Sequence, residues 1–194
     1  IEPQCKHLAE RGMVAITAEY RVKSRHGVHP AECVVDGKDA VRWIRQHARE
    51  LGVDNARIAV AGGSAGGHVA ASTATIEKLP EETESEIDCT PSALILYNPV
   101  CDTTLHGFGG ERLAERAHEL SPVHHIHKHM PPTLIFHGQV DKTVPFENAK
   151  RFKQLMDEIG NACELVAYPE AGHGFFNQGR PSNQYEDTTR RLDA

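Results

Sequence analysis

Residues 57–68 read Arg-Ile-Ala-Val-Ala-Gly-Gly-Ser-Ala-Gly-Gly-His, and this stretch decides the fold of the chain. Its apolar start, residues 58–61, predicts a short buried strand, and residues 65–79 predict a helix. Between them stands a Gly-x-Ser-x-Gly pentapeptide centred on Ser64. On a sharp strand-to-helix turn, such a serine adopts a strained backbone conformation and presents its Oγ at the carboxyl edge of a sheet. We expect a Cβ atom on Gly62 or Gly66 to crowd this turn. A glycine-rich turn without catalysis is the alternative, and the strand and helix context disfavours it.

Short apolar runs alternate with longer amphipathic stretches along the rest of the chain. The apolar runs are residues 13–18, 58–61, 93–97, 133–136 and 164–168. Near-continuous apolar runs are typical of strands that are buried on both faces of a parallel sheet. Helices are predicted at residues 32–51, 65–79 and 146–159, and a further one near residues 185–192. This alternation predicts an α/β fold in which helices flank a doubly wound, mostly parallel sheet.

Size and composition exclude several classes of protein. A chain of 194 residues fits one domain, here residues 1–194 with an insertion at about 101–131. No apolar run approaches the ~20 residues of a membrane-spanning helix, and the net charge of -6 argues against nucleic acid as a partner. The five cysteines are scattered, which predicts neither a disulfide framework nor a zinc site, although one bridge stays open. Localisation and oligomeric state stay open as well.

Two further residues complete a nucleophilic site around Ser64. A serine hydroxyl needs a base to take its proton, and the base needs a third group to hold it. In this architecture the chain order is serine, acid, histidine. Asp141 and His173 each follow a predicted strand, so both lie where open α/β sheets place their sites. We therefore predict that Ser64, Asp141 and His173 form a catalytic triad, with the backbone N–H of Ala65 in the oxyanion hole. A turn-capping aspartate and a surface-loop histidine are the alternatives.

These motifs resemble those of the α/β-hydrolase superfamily, in its esterase and lipase branch. The resemblance rests on residues 18–21, 57–68, 132–138 with Asp141, and 171–175, and it covers essentially the whole chain. It is strongest to acetyl-xylan and feruloyl esterases and to acetylesterase-like proteins. The resemblance implies a serine carboxylic-ester hydrolase that acts on small acyl esters, among them acetylated or feruloylated carbohydrate. It implies a small-molecule ester as partner, and no cofactor, metal or membrane.

The chain departs from that family at its start. Members carry further strands upstream and a His-Gly-Gly-Gly loop that supplies part of the oxyanion hole, and neither occurs after Ile1. We therefore expect a partial domain that lacks the N-terminal strands and is cut at both ends. Three rivals stay open: a prolyl-oligopeptidase-like serine peptidase, a catalytically impaired fragment or binding module, and a lipase. The polar character of residues 102–129 disfavours the lipase.

Some conspicuous residues are interpreted as structural. The histidine-rich run 124–129 invites a metal site, but it lacks acidic or cysteine partners at a defined spacing. His68 is predicted to pack rather than to act as a base, and His137 to support the acid loop. Trp43 is predicted to lie in the core. The acidic residues 80–91 are predicted to form a solvated loop.

Overall fold

A single parallel sheet organises the molecule. The computed structural model describes residues 1–104, 107–180 and 183–193. Within these ranges, four strands pair in the order β1-β2-β3-β4. Their bounds are Ala59–Gly63 for β1, Ala93–Tyr97 for β2, Thr133–Gly138 for β3 and Cys163–Tyr168 for β4. Gly63, Tyr97, Phe136 and Val166 lie side by side across the sheet. All four strands therefore point their carboxyl ends at one edge.

Helices connect and cover these strands. In the described part of the chain they are α1 (Glu2–Glu10), α2 (Lys23–His26), α3 (Pro30–Gln46), α4 (Ala48–Leu51), α5 (Ala65–Thr75), α6 (Gly110–Leu113), α7 (Glu147–Glu158) and α8 (Gln184–Arg190), with 3-10 turns at Ala114–Arg116, Pro122–His124 and Arg191–Asp193. Helix α3 begins at Pro30 under a capping box, in which His29 Nδ1 accepts the Ala31 N–H and Glu32 accepts the His29 N–H. None of these helices is long and apolar enough to cross a membrane.

Both faces of the central strands β2 and β3 are covered, as in a doubly wound fold. On one face, side chains of α5 and α7, including Ala71 and Phe152, pack against Leu96 and Ile135 of the central strands. On the other face, Phe175 and Phe176 of the loop after β4 pack against Tyr97 and Phe136. The predicted α/β class, with helices flanking a parallel sheet, is thereby confirmed. The residues between β2 and β3 that the structure describes form short helical segments and turns.

The predicted strand at residues 13–18 is wrong. This segment forms neither helix nor strand, and Met13 and Val14 are 53% and 52% exposed. A strand exists only where a neighbour offers ladder hydrogen bonds, and among the described residues no strand lies beyond β1. Strand β1 is consequently an edge, with Ala59 and Ala61 exposed. An apolar groove of about 380 Å³ runs along it, lined in part by residues 16–20 and by α3.

One prediction about burial is also wrong. Trp43 is 50% exposed and stacks on His47 one helical turn later, with ring centroids 4.2 Å apart. The acidic segment 80–91 forms the predicted loop and most of its residues are exposed, but the side chain of Glu82 is only 2% exposed. It pairs with the fully buried Lys38 and with Arg42, both on α3. Composition did not reveal this one exception, because it does not show that two cations of α3 face Glu82.

Candidate active site

Ser64 stands on the turn between β1 and α5. Its backbone has φ 55 and ψ -118, a conformation that non-glycine residues rarely adopt. The turn is held from the next strand, because the Ser64 N–H donates to the Tyr97 carbonyl at 2.9 Å. The Ser64 carbonyl accepts the N–H of His68 at 3.0 Å and so starts α5. The strained serine is therefore fixed by hydrogen bonds on both sides, with its side chain half-buried at the carboxyl edge of the sheet.

The glycines around Ser64 differ in what they are needed for. A Cβ atom on Gly62 would overlap the carbonyl group of Gly66, so the crowding predicted at Gly62 is confirmed. The prediction for Gly66 is wrong, because a Cβ atom there would only meet the Tyr20 hydroxyl at an ordinary 3.7 Å. Two further close approaches lie at Gly63, where a Cβ atom would come within 2.6 Å of the Phe176 ring, and at Gly67, where a Cβ atom would come within 2.9 Å of Pro99. The sequence pattern did not reveal this helix-to-loop contact, because Pro99 is distant along the chain.

Asp141 lies on the loop that follows β3, and its side chain is fully buried. One carboxylate oxygen, Oδ1, accepts the N–H groups of Thr143 and Val144 at 2.8 and 2.9 Å. The other, Oδ2, lies 2.8 Å from His173 Nδ1. Two backbone donors compensate the charge of the buried carboxylate and fix its orientation toward the histidine.

His137 supports this acid loop from the end of β3. Its Nε2 lies 3.0 Å from the Val144 carbonyl, to which it donates, and 3.6 Å from Asp141 Oδ2. Burial lowers the pKa of His137, and the hydrogen bond to Val144 only partly opposes this effect. A neutral His137 does not compete with His173 as a cationic partner for Asp141. Its geometry agrees with the structural role predicted from the sequence.

His173 lies on the loop that follows β4 and joins the other two residues. Its Nδ1 is 2.8 Å from Asp141 Oδ2, and its Nε2 is 3.0 Å from Ser64 Oγ. A carboxylate only accepts hydrogen bonds, so Nδ1 carries the proton and Nε2 is free to accept the serine proton. The predicted convergence of Ser64, Asp141 and His173 at one sheet edge is confirmed by these distances. The arrangement can draw a proton from Ser64 Oγ and stabilise the imidazolium that results.

Ala65, the predicted oxyanion donor, is the first residue of α5. The first N–H groups of a helix have no intrahelical acceptor, and the helix N-terminus carries partial positive charge. The Ala65 N–H therefore lies beside the nucleophile in an environment that favours a developing negative charge.

The other histidines that the sequence singled out lie elsewhere. His68 is buried, and its Nε2 lies 2.6 Å from the Leu120 carbonyl, so it joins α5 to the segment between β2 and β3. Burial lowers its pKa. In the run 124–129, His127 bonds the Ala74 carbonyl at 3.1 Å. Within the described ranges, no three His, Cys, Asp or Glu side chains are grouped in a way that could hold a metal ion.

Two family models together match nearly the whole chain. The BD-FAE model matches residues 1–108, and the model of the prolyl oligopeptidase family matches residues 93–193. Among curated proteins, esterase LipC of Mycobacterium tuberculosis is 29% identical over 189 residues, which are 87% of this chain and 46% of the relative. The probable carboxylic ester hydrolase LipM of the same organism is 28% identical over 200 residues, 89% of this chain and 44% of the relative. The chain thus spans about half the length of these curated relatives.

Solved structures give a higher similarity over more of the chain. Thermogutta terrifontis esterase 2, phosphoramylated by tabun, is 49% identical with a TM-score of 0.91, over 98% of this chain and 73% of that chain. The butyrate-bound structure of the same esterase is 48% identical with a TM-score of 0.90, and the match covers 98% of this chain and 74% of that chain. From the two family matches and this identity to a solved esterase, it follows that the chain belongs to the α/β-hydrolase superfamily, in its esterase branch.

Proposed function

We propose that this protein is a serine carboxylic-ester hydrolase for short acyl esters, with Ser64, His173 and Asp141 as its catalytic triad. The observation that carries the proposal is the continuous hydrogen-bonded line from Ser64 Oγ through His173 to the buried Asp141, at 3.0 and 2.8 Å. A triad is recognised by such geometry and by the roles it permits rather than by sequence position. We also propose that residues 1–194 act as one catalytic domain, with residues 101–131 as an insertion.

The reaction proceeds in two halves. His173 Nε2 takes the proton of Ser64 Oγ as the oxygen attacks the ester carbonyl carbon. The Ala65 N–H donates to the oxyanion, while Asp141 stabilises the imidazolium. His173 then gives its proton to the leaving alcohol, and an acyl group remains on Ser64. In the second half, His173 takes a proton from water as the water oxygen attacks the acyl carbonyl carbon. His173 then returns this proton to Ser64 Oγ as the bond between Oγ and the acyl carbon breaks and the acid leaves.

The ligands in the solved structures of the related esterase support a preference for short acyl groups. Thermogutta terrifontis esterase 2 has been solved with propionate and with butyrate bound, and phosphorylated by paraoxon. Propionate and butyrate are the acids that hydrolysis of the corresponding short acyl esters releases. A reaction with paraoxon is what an activated nucleophile gives with an electrophilic phosphate ester. We extend both properties to this chain.

A set of esters tests the proposal. We expect turnover of p-nitrophenyl acetate, propionate and butyrate, and little of p-nitrophenyl palmitate. Acetylated xylan and methyl ferulate in the same assay test the carbohydrate esters that the sequence motifs suggested. S64A should abolish hydrolysis. S72A is the matched control, because Ser72 lies two turns along the same helix, is fully buried and has an unpaired Oγ. Equal turnover by S64A and wild type would contradict the assignment of the nucleophile.

A serine peptidase is the second candidate. The match of residues 93–193 to the prolyl oligopeptidase family favours it, and so does a 27% identity over 166 residues to the acylamino-acid-releasing enzyme of Arabidopsis thaliana. That match spans 78% of this chain and 21% of the relative. An acyl-alanine p-nitroanilide and a prolyl p-nitroanilide separate the two candidates. Cleavage of either amide with a kcat/KM equal to that for p-nitrophenyl butyrate would favour the peptidase.

A further inference from the structure

Asn98 combines two unfavourable features at one position. It is the first residue after β2, and it is fully buried, with 0% exposure. Its φ of 35 lies on the left-handed side of the backbone map, which glycine and asparagine tolerate best. Its side-chain Nδ2 is buried without a hydrogen-bond partner. Such costs persist where the surrounding structure enforces them, and they concentrate at functional sites.

The amide oxygen of Asn98 contacts the histidine loop. Oδ1 accepts the backbone N–H of Gly174 at 3.0 Å, and Gly174 directly follows His173. A backbone N–H can pair only with the oxygen of an amide, so this contact fixes the orientation of the Asn98 side chain. Gly174 has φ 71, and its carbonyl accepts the N–H and the Nδ2 of Asn177 at 3.1 and 2.8 Å. The turn after His173 is therefore anchored on both sides of one glycine.

The backbone at the same place contacts the other two loops of the site. The Asn98 N–H donates to the Phe136 carbonyl in β3 at 2.7 Å, and β3 leads to Asp141. The preceding residue, Tyr97, accepts the Ser64 N–H through its carbonyl at 2.9 Å. The end of β2 thus holds the serine turn, the strand of the acid and the loop of the histidine in one hydrogen-bonded unit.

We propose that Asn98 is a positioning residue for His173. The proposal rests on the proposed function, because it concerns the same triad. Asp141 holds the imidazole ring through Nδ1, but the His173 side chain is 26% exposed on a loop without regular structure. Asn98 supplies the backbone anchor next to that ring. It acts through His173, and no step of the reaction takes a proton from it or gives one to it.

Substitutions at Asn98 separate the effect of the hydrogen bond from Gly174 N–H to Asn98 Oδ1 from the effect of the left-handed backbone conformation. Asn98→Gly keeps the left-handed conformation accessible and removes the oxygen, whereas Asn98→Asp keeps an oxygen acceptor. With p-nitrophenyl butyrate, we expect N98G to lower kcat about 10- to 100-fold with KM within about twofold, because a misplacement of about 1 Å costs about 100-fold. We expect N98D to recover most of that loss. Each kcat is divided by the fraction of folded protein, which is measured by circular dichroism.

Asn148→Ala is the matched control. Asn148 is a buried asparagine whose Oδ1 accepts the N–H groups of Cys101 and Asp102 at 3.3 and 3.0 Å. Its loss removes two hydrogen bonds of a loop that does not carry His173. We expect N148A to melt at a lower temperature and to keep its kcat. A fall in kcat for N148A as large as that for N98G would overturn the proposal, since both would then report a general loss of structure.

A spectroscopic signature tests the role without turnover. The proton on His173 Nδ1, shared with Asp141, gives a far-downfield proton signal in chain labelled with 15N-histidine. We expect this signal to broaden or vanish in N98G and to remain in N148A. A folded N98G with the signal unchanged and kcat within twofold of wild type would overturn the proposal. If wild type hydrolyses no ester, the proposed function fails, and the signal still decides for or against Asn98.

Discussion

Gly62 and Gly66 face each other across the serine turn so closely that a Cβ atom on Gly62 would overlap the Gly66 carbonyl group. The contact joins the end of β1 to the first turn of α5. It is a contact between backbones, so no flexible side chain can move aside to relieve it. The geometry of the Ser64 turn depends on this approach, and the dependence applies to only one of the two glycines.

Alanine at these two positions should therefore give unequal results. We expect G62A to displace α5 or to prevent folding, because overpacking against backbone costs at least about 1–3 kcal/mol. G66A should change the free energy of unfolding by less than about 1 kcal/mol, since its Cβ meets one hydroxyl at an ordinary distance. Thermal unfolding of both variants checks the difference. Equal melting temperatures for G62A and G66A would show that the turn is not held in this way.

Asp141→Asn should remove the proton acceptor of His173 Nδ1 while keeping the shape of the side chain. The amide favours the wrong tautomer of the imidazole, and kcat for a short ester should fall about 10⁴-fold. Asp187→Asn is a suitable control, because Asp187 accepts from the Tyr168 hydroxyl at 2.7 Å and contributes nothing to the triad. Stopped-flow or steady-state assays with p-nitrophenyl butyrate are sufficient. A D141N enzyme within tenfold of wild type would mean that another group holds His173.

Lys38→Met should be strongly destabilising. The Lys38 ammonium is fully buried and donates to the Glu77 carbonyl at 3.0 Å as well as pairing with Glu82. Burial alone would raise the pKa of Glu82, but the bonds from Lys38 and Arg42 outweigh it and lower the pKa. Removing one partner of a buried ion pair lowers the free energy of unfolding by about 3–5 kcal/mol. Because Arg42 still lies 2.7 Å from Glu82, we expect a loss of about 3 kcal/mol.

The double variant K38M/E82L provides the control for that substitution. It removes the buried charge that K38M leaves behind, so it should recover part of the lost stability. Urea unfolding gives both free energies. A loss below about 1 kcal/mol in K38M would mean that water solvates Glu82.

Asp187→Asn should lower stability in a way that depends on pH. The hydrogen bond from Tyr168 and the bonds from Arg191 and Arg190 lower the pKa of Asp187 from 3.8 to about 2. A carboxyl with a lowered pKa stabilises the folded state above its unfolded pKa, and this stabilisation is lost as the pH falls toward the folded value. D187N should thus be about 1 kcal/mol less stable at pH 7, after allowance for the partly exposed site. The difference in the free energy of unfolding between wild type and D187N should vanish as the pH falls from about 4 to about 2. If this difference stayed constant over the same pH range, the ion pairs of Asp187 with Arg190 and Arg191 would be excluded as its source.

The sequence was most informative where one short pattern fixes both conformation and chemistry. Residues 62–66 predicted the Ser64 turn, and chain order together with strand ends predicted Asp141 and His173. It was least informative where a contact joins distant segments. Residues 13–18 have the composition of a strand, but composition does not supply the neighbour that a strand needs. Nothing in the pattern around Asn98 indicates that its amide reaches Gly174, because that contact depends on how the loop after β4 folds back over β2.

The most direct test of the account is to locate the adduct that paraoxon forms. The wild-type protein is treated with paraoxon, digested and mapped by mass spectrometry, beside S64A and S72A. We predict one diethylphosphoryl group, carried by the peptide that contains Ser64, in wild type and in S72A, and none in S64A. H173A should react far more slowly, because Ser64 then lacks its base. An unmodified wild-type chain, or a label that persists in S64A, would contradict the claim that Ser64 is an activated nucleophile.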